Sequence, residues 1–390
     1  MKILVLGGDG FCGWPTSLHL SQLGHEVFII DDFSRRRIDV ELEVDSLTPI
    51  QPLSVRLDAW QRVSGKRIGF AHLDICADYD RVLEVIGSFS PDAIVHFAEQ
   101  KSAPYSMKST WHKRYTVSRN TSATTNLLCA LLDAGVDAHV IHLGTMGVYG
   151  YESAGLMLPE GYVDAILEDP KGRLSKRRIL YPFDPGSVYH TTKTLDALLF
   201  YYFNKQDGIR VTDLHQGIVW GTSTKDTELS EDLINRFDYD GDFGTVLNRF
   251  LIQAAVGFPL TVHGSGGQRR AFINIRDTVR CIELALMSPP SSGSQVRVLN
   301  QMTEVHRIRD LARLISRLFR VEVNSVSNPR TEDEENALDA SCDGLVQLGL
   351  KPTLLEEGLL RELEYIARKY HHRVDSSRIP SQSLWSHRFK

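Results

Sequence analysis

Met1-Lys-Ile-Leu-Val-Leu-Gly-Gly-Asp-Gly-Phe-Cys-Gly13 reads as an apolar strand running straight into a Gly-x-x-Gly-x-x-Gly turn, ahead of the amphipathic run Thr16 to Leu23. Each glycine at this spacing has its own use. Gly7 lets the chain turn sharply, Gly10 lets backbone N–H groups approach a phosphate, and Gly13 lets the helix pack close on the strand, its N-terminus facing the anion. The stretch predicts a dinucleotide pyrophosphate site, with Asp9, Phe11 and Cys12 filling the turn. A second apolar run, Glu26 to Ile30, ends in Asp31, eighteen residues past Gly13, where a carboxylate accepts hydrogen bonds from the adenosine ribose hydroxyls. Asp31, followed by Asp32, favours NAD over NADP because it repels a 2′-phosphate. Arg35, Arg36 and Arg37 come next, and a cluster of that kind can hold the same phosphate.

Working outward, apolar runs at Lys2–Leu6, Val27–Ile30, Ile68–Leu73, Ala93–Phe97, Val140–Leu143 and Val211–Leu214 alternate with helical patterns such as Tyr79–Phe89 and Thr121–Ala134. Such alternation predicts an α/β fold with a doubly wound parallel sheet. Arg37–Gly65 interrupts it as an irregular, partly polar insertion, and Gly150–Gly186, with Pro159, Pro170, Pro182 and Pro185, is a second. Long connections of this kind are often functional lids. From Gly221 the pattern loosens through the acidic stretch Asp226–Asp242, then gives a helix near Thr245–Val256, a strand at Leu260–His263, a returning helix and strand at Asp277–Leu286 and Gln295–Leu299, and helices at Ile308–Phe319 and Leu354–Lys369. The expected division is a nucleotide-binding domain of residues 1–220 and 276–302, and a smaller, discontinuous α/β substrate-binding domain of residues 221–275 and 303–390.

At 390 residues and 42% hydrophobic, the chain can bury a large core. Its formal net charge of −5 provides no basic field to draw it onto nucleic acid or an anionic membrane, and no apolar stretch reaches spanning length. The N-terminus begins directly with a strand, so the expected setting is the cytoplasm. Cys12, Cys76, Cys129, Cys281 and Cys342 are scattered and lack C-x-x-C pairing, which speaks for reduced thiols and no metal site.

Tyr189-His-Thr-Thr-Lys193 opens a long apolar helix, and its spacing puts phenol and ammonium on one helical face. A nearby Lys⁺ stabilises tyrosinate, which makes Tyr189 a base for a sugar or alcohol hydroxyl as hydride leaves the same carbon. Lys193 is also suited to hold the nicotinamide ribose. In His142-Leu-Gly-Thr145-Met-Gly-Val-Tyr-Gly150, Thr145 ends a strand at the edge where open α/β sheets build their sites, and can bond the reacting hydroxyl.

With these motifs in hand, the chain resembles the extended short-chain dehydrogenase/reductase superfamily of NAD-dependent epimerases and dehydratases, and within it the UDP-sulfoquinovose synthases. The matching segments are Gly7–Trp14, Ser46–Ile50, His96–Met107, Leu143–Gly147, Phe243–Phe250, Ala254–Gly257, Gly266–Gln268 and Asn328–Arg330. The resemblance implies a Rossmann domain holding a tightly bound NAD. Asp74 and Ile75 would contact adenine, and Phe97, Ala98, Glu99 and Gln100 would line the ribose and nicotinamide side, with Asn120 behind the site and Gln216 at the junction with the substrate. Met146, Gly147, Gln100, Asn248, Thr261, His263, Gln268, Arg270 and Arg330 would hold the UDP-hexose. Two guanidinium groups suit a diphosphate through bidentate charge-assisted bonds.

The implied reaction passes hydride from sugar C4 to NAD⁺ while Tyr189 takes the hydroxyl proton. Loss of H5 and the 6-hydroxyl gives a 4-keto-5,6-ene, sulfite adds at C6, and the hydride returns. His190 is the candidate acid/base for the elimination, and Arg35, Arg36, Arg37 or Lys101 the attractors for sulfite. Val148 stands where the family carries a glutamate, and His215 where it carries asparagine. A nucleotide-sugar 4-epimerase or dehydratase, and a non-catalytic redox-sensing dinucleotide binder, are the alternative readings. The apolar helices Thr121–Ala134 and Thr194–Asn204 would pair with their copies in a homodimer.

Overall fold

Seven parallel strands form the central sheet of the computed structural model, which describes residues 1–150, 157–181, 183–330, 332–381, 383 and 385. Their spatial order is Arg297–Gln301, Val211–Gln216, His139–Thr145, Ala93–His96, Lys2–Leu6, Glu26–Asp31 and Ile68–His72. The order reverses between the first and fourth of these in sequence, where Ile3–Leu6 pairs with Ala93–His96 on one side and Lys2–Leu6 with Glu26–Asp31 on the other. An open α/β sheet has its crevice at the carboxyl ends of the strands at such a reversal, which is where the Gly7 turn emerges.

Both faces of the sheet are covered, as a parallel sheet requires. Because strand side chains alternate, Ile3 and Val5 pack with Trp14, Leu18, Trp60 and Ile282 on one face, while Leu4 and Leu6 pack with Val82, Ile86, Leu127, Leu131 and Phe200 on the other. The helix Val188–Asp207 starts at Ser187, whose Oγ accepts from the His190 backbone N–H at 3.2 Å, and stops at Gly208 in the left-handed region.

A second apolar core gathers Leu247, Phe250, Leu251, Leu260, Leu311, Ile315, Leu360 and Leu363. It packs beside a three-stranded sheet of Ile218–Trp220, Arg269–Asn274 and Glu304–Arg307.

Two insertions differ from expectation. Residues 37–65 contain most of a helix, Ser34–Leu42, and all of another, Leu53–Ser64, in place of an irregular loop. In the other, Tyr162–Glu168 and Leu174–Leu180 form an antiparallel hairpin separate from the main sheet. Residues 151–156 and Pro182 lie outside the described residues. Among the described residues, no helix is long and apolar enough to cross a membrane.

Candidate active site

The glycine turn is built for close approach. Gly7 has φ +82°, and a Cβ there would lie 2.9 Å from the Ala98 nitrogen and Phe97 carbonyl carbon. A Cβ on Gly13 would sit 2.1 Å from the Gly7 oxygen, so a side chain there would drive the first helix off the strand. Gly7, Asp9, Gly10, Phe11, Cys12 and Gly13 line a cleft with Asp31, Asp32, Arg35, Asp74, Ile75, Phe97, Ala98 and Glu99, closed at its inner end by Tyr189, Lys193 and Gln216. Asp31 accepts backbone N–H groups from Asp9 and Phe33, both at 2.8 Å, and burial together with the Asp9 charge pushes its carboxyl up to about 6. A cradle that a Cβ would fill, with an acidic group at the end of the second strand, fits a dinucleotide with free ribose hydroxyls.

The turn is clamped from behind by the unexpected helices. Asp9 binds Arg36 through Nε at 2.5 Å and Nη2 at 2.9 Å, and Arg56 through Nη1 at 2.8 Å. Arg56 is fully buried and lies 3.9 Å over the Trp14 ring. Arg35 pairs with Asp39 and Asp238, and Arg37 with Asp32. The arginine cluster is thus occupied by carboxylates. Asn120 lies behind the cleft: its Oδ1 accepts from the Gln100 N–H at 2.8 Å, and its Nδ2 donates to the Gln100 carbonyl and to Thr192. Gln100 lines the dinucleotide cleft instead of the substrate side, with its amide bonded to Ser102 and Thr116.

A second cleft joins the first at Phe11, Cys12, Lys101, Tyr189 and Gln216. Its floor carries Thr145, Met146, Gly147, Tyr189 and His190, and its outer wall Thr261, His263, Gln268, Arg270 and Arg330. Asn248 is absent from this lining: its amide is bonded to the Gly221 N–H and carbonyl. The neighbouring Arg249 lines the cleft in its stead. Burial pulls the Arg249 guanidinium down to about 10, with Arg330 adding to the effect. Arg249 went unnoticed in the sequence because helical phase alone separates it from Asn248. Trp385, stacked 4.7 Å from the Arg330 guanidinium, and Arg119, which holds Asp74 with contacts of 2.6 and 2.7 Å, also carried no sequence signal.

Burial pushes the Tyr189 phenol up to about 12, and the Lys193 charge opposes that rise. Lys193 would lose its proton affinity to burial, but Glu99 and the phenol reverse the effect and keep it above its ordinary value. Thr145 Oγ1 accepts from the Gly147 N–H at 3.1 Å, leaving its own hydroxyl proton to donate. Burial, then Arg330 and Arg270, pull the His190 imidazole down to about 3, so it is neutral at physiological pH. A Cβ on Gly147 would lie 2.4 Å from His190 Cδ2 and Nε2, so the glycine gives the ring its place. Val148 is fully buried among Met146, Tyr149, Leu158, Ala271, Met302 and Leu338, and belongs to neither lining.

A family model described as the NAD dependent epimerase/dehydratase family matches residues 3–300. A chloroplastic UDP-sulfoquinovose synthase of Spinacia oleracea is 44% identical over 98% of this chain and 79% of its own length. A UDP-sulfoquinovose synthase of Sulfolobus acidocaldarius is 39% identical over 90% of this chain and 88% of its own. Among solved structures, a UDP-glucose 4-epimerase of Thermotoga maritima with UDP-glucose has a TM-score of 0.70 at 20% identity, covering 95% of this chain and 99% of that one. A UDP-glucuronic acid 4-epimerase of Bacillus cereus with UDP-glucuronic acid and NAD has a TM-score of 0.68 at 22% identity, covering 96% and 99%. These last two likenesses are of fold.

Proposed function

Because the chain belongs to the NAD-dependent epimerase/dehydratase family, we propose that it is a UDP-sulfoquinovose synthase, converting UDP-glucose and sulfite to UDP-sulfoquinovose. The observation that carries this reading is the 44% identity to the spinach synthase across 98% of the chain. The substrate cleft supports it, with Thr145, Tyr189 and His190 on its floor and Arg249, Arg270 and Arg330 at its outer side.

NAD, when bound in the glycine cleft, supplies the acceptor and later the donor of the sugar C4 hydride. The chain's own groups do the rest. Tyr189 Oη takes the C4 hydroxyl proton and gives it back at the end, while the Thr145 hydroxyl fixes that oxygen by hydrogen bonding. Lys193, kept cationic by Glu99, supplies the charge that favours tyrosinate. His190, neutral and beside the same cleft, takes the proton from C5 and hands it to the departing 6-hydroxyl, which leaves as water. The arginines neutralise the diphosphate, and Lys101, at the junction of the two clefts, attracts sulfite.

With Leu233, Leu345 and Leu350 packed in the sheet's core, the two-domain division, 1–220 with 276–302 against 221–275 with 303–390, is supported by the second apolar core, drawn mostly from residues 237–272 and 311–379, and is part of this proposal. So is a homodimer through the helices Thr110–Ala134 and Val188–Asp207, which leave Val117, Leu132, Leu198, Tyr201 and Tyr202 exposed. Five free cysteines agree with a reducing, cytoplasmic setting.

The test is to incubate the protein with UDP-glucose, NAD⁺ and sulfite and identify products by mass spectrometry. A sulfonated UDP-hexose is expected. UDP-galactose, formed with or without sulfite, would replace the reading by an epimerase, and no turnover of any sugar nucleotide would leave a dinucleotide binder.

A further inference from the structure

Beyond the helix Glu357–Lys369 the chain returns to the substrate cleft, and it is fastened on the way. Ile379 is fully buried in the second apolar core. The Arg378 carbonyl accepts the Gly241 N–H at 2.9 Å. A Cβ on Gly241 would lie 2.4 Å from the Ser381 nitrogen and Cα, so the glycine admits the passing backbone. Further along, Ser383 Oγ lies 2.7 Å from the Pro104 carbonyl oxygen and 3.2 Å from Asp242 Oδ1. Ordering these residues, none of which is in a strand or an α-helix, costs conformational entropy that such contacts offset.

Trp385 leaves the second core for a cluster of its own. Its indole is 8% exposed and packs with Ala103 and Met107, against Val188 and Tyr189 at the start of the active-site helix. The Arg330 guanidinium stands 4.7 Å from the ring centroid, within reach of a cation–π attraction. Trp385 also borders the substrate cleft, together with Ser381, Tyr189 and Arg330. The other tryptophans are placed differently: Trp14, Trp60 and Trp220 are fully buried, Trp111 is exposed, and none of the four lines either cleft.

That position sets what the ring can touch. Tyr189 marks the reacting carbon of the sugar and Arg330 the diphosphate, so a side chain in contact with both flanks the hexose that joins them. The C–H groups of a hexopyranose are apolar, and an indole offers them a wide, rigid face from which water is displaced. The nucleoside half has its own polar lining in Thr261, His263 and Gln268 on the outer wall. A site that gripped the nucleoside diphosphate alone would be blocked by free UDP, and specificity for the intact sugar nucleotide requires a contact that UDP cannot make.

We propose that Trp385 is a specificity-determining residue of the substrate cleft: its indole, held between Tyr189 and Arg330, is the wall against which the hexose packs, and it makes the site prefer UDP-glucose to free UDP. This rests on the reading of Tyr189 as the base for the C4 hydroxyl and of Arg330 as a diphosphate ligand.

The test uses the NAD-loaded full chain carrying Tyr189→Phe, which stops hydride transfer and keeps the nicotinamide oxidised while nucleotides are titrated. Calorimetry gives the affinities for UDP-glucose and UDP, and tryptophan emission reports on the indole. UDP-glucose is expected to change that emission, and adding Trp385→Phe to abolish the change while affinity stays near that of the parent. Trp385→Ala is expected to weaken UDP-glucose about tenfold and UDP about twofold or less, with NAD affinity unchanged. Three results would overturn the proposal: no emission change at saturating UDP-glucose, a change that survives in Trp385→Phe, or Trp385→Ala affinities that fall equally for the two nucleotides or not at all. Equal losses would mark an indole that only packs. Should Trp385→Ala fail to fold, the emission of Trp385→Phe decides alone. The titrations need no sulfonation, so a native chain that makes only UDP-galactose refutes the synthase reading and leaves Trp385 to be judged by binding.

Discussion

At the residue scale, burial works against Tyr189 as a base, and every group in contact with its helix matters for that reason. Tyr189→Phe is expected to lower turnover by about two to four orders of magnitude while leaving NAD affinity near native, measured by reduced-nicotinamide formation and by NAD titration. The guanidinium of Arg249 is buried and borders the cleft. Arg249→Gln should raise the KM for UDP-glucose about tenfold or more and change kcat much less, since it removes charge-assisted contacts made equally in ground and transition states. Val148 presents the reverse case. It points into an apolar cluster, so Val148→Glu should cost about 3 kcal/mol of stability by thermal or urea unfolding, with no gain in sulfonation. Residue types and spacing made Thr145, Tyr189, His190 and Lys193 legible in the sequence. The choice between Asn248 and Arg249 was not, because adjacent helical residues point about 100° apart and only the packing of the helix Val246–Ala255 sets the phase.

At the element scale, the strand–turn–helix at the N-terminus was legible because three glycines and a period-two apolar run agree. Gly13→Ala tests the tight approach: the 2.1 Å clash with the Gly7 oxygen should destabilise the protein by about 1–3 kcal/mol and weaken NAD binding in a titration. The helix Ser34–Leu42 could not be read from periodicity, since Ile38 and Asp39 are its only buried residues and ion pairs to Asp9, Asp32 and Asp238 hold it in place. The hairpin Tyr162–Leu180 was hidden by Pro170 in its turn and by the exposure of most of its side chains. Strand burial also sets a pH response. His139, 2.9 Å from Thr212 Oγ1, is pulled down to about 3 by burial and by Arg210 and Arg297. Its folded-state value lies below the unfolded one, so the stability it contributes is present above about 6.5 and is lost as pH falls towards 3. Relative to His139→Gln, the native protein should lose about 1.4 kcal/mol per pH unit across that window in urea unfolding.

At the scale of the whole molecule, the parallel direction of the strands follows from the βαβ alternation, while the attachment of the chain after Gly221 to the sheet depends on contacts between residues hundreds of positions apart. The Trp14 indole N–H donating to the Leu233 carbonyl at 2.9 Å is one of these. Exposed Leu198, Tyr201 and Tyr202 on the helix Val188–Asp207 place the proposed dimer face directly behind the active-site helix. Leu198→Asp with Tyr202→Glu should convert dimer to monomer in sedimentation velocity; an unchanged sedimentation coefficient would remove this face from the assembly. In the proposed reaction, one hydride leaves sugar C4 and returns to it within a single sulfonating turnover. It is tested by supplying UDP-glucose deuterated at C4 with sulfite and unlabelled NAD⁺, and reading the product by mass spectrometry and proton NMR. The expected product is a C6-sulfonated UDP-hexose that retains the deuterium at C4; a sulfonated product with hydrogen at C4, or a deuterated product without sulfonate, would contradict return of the hydride within one sulfonating turnover.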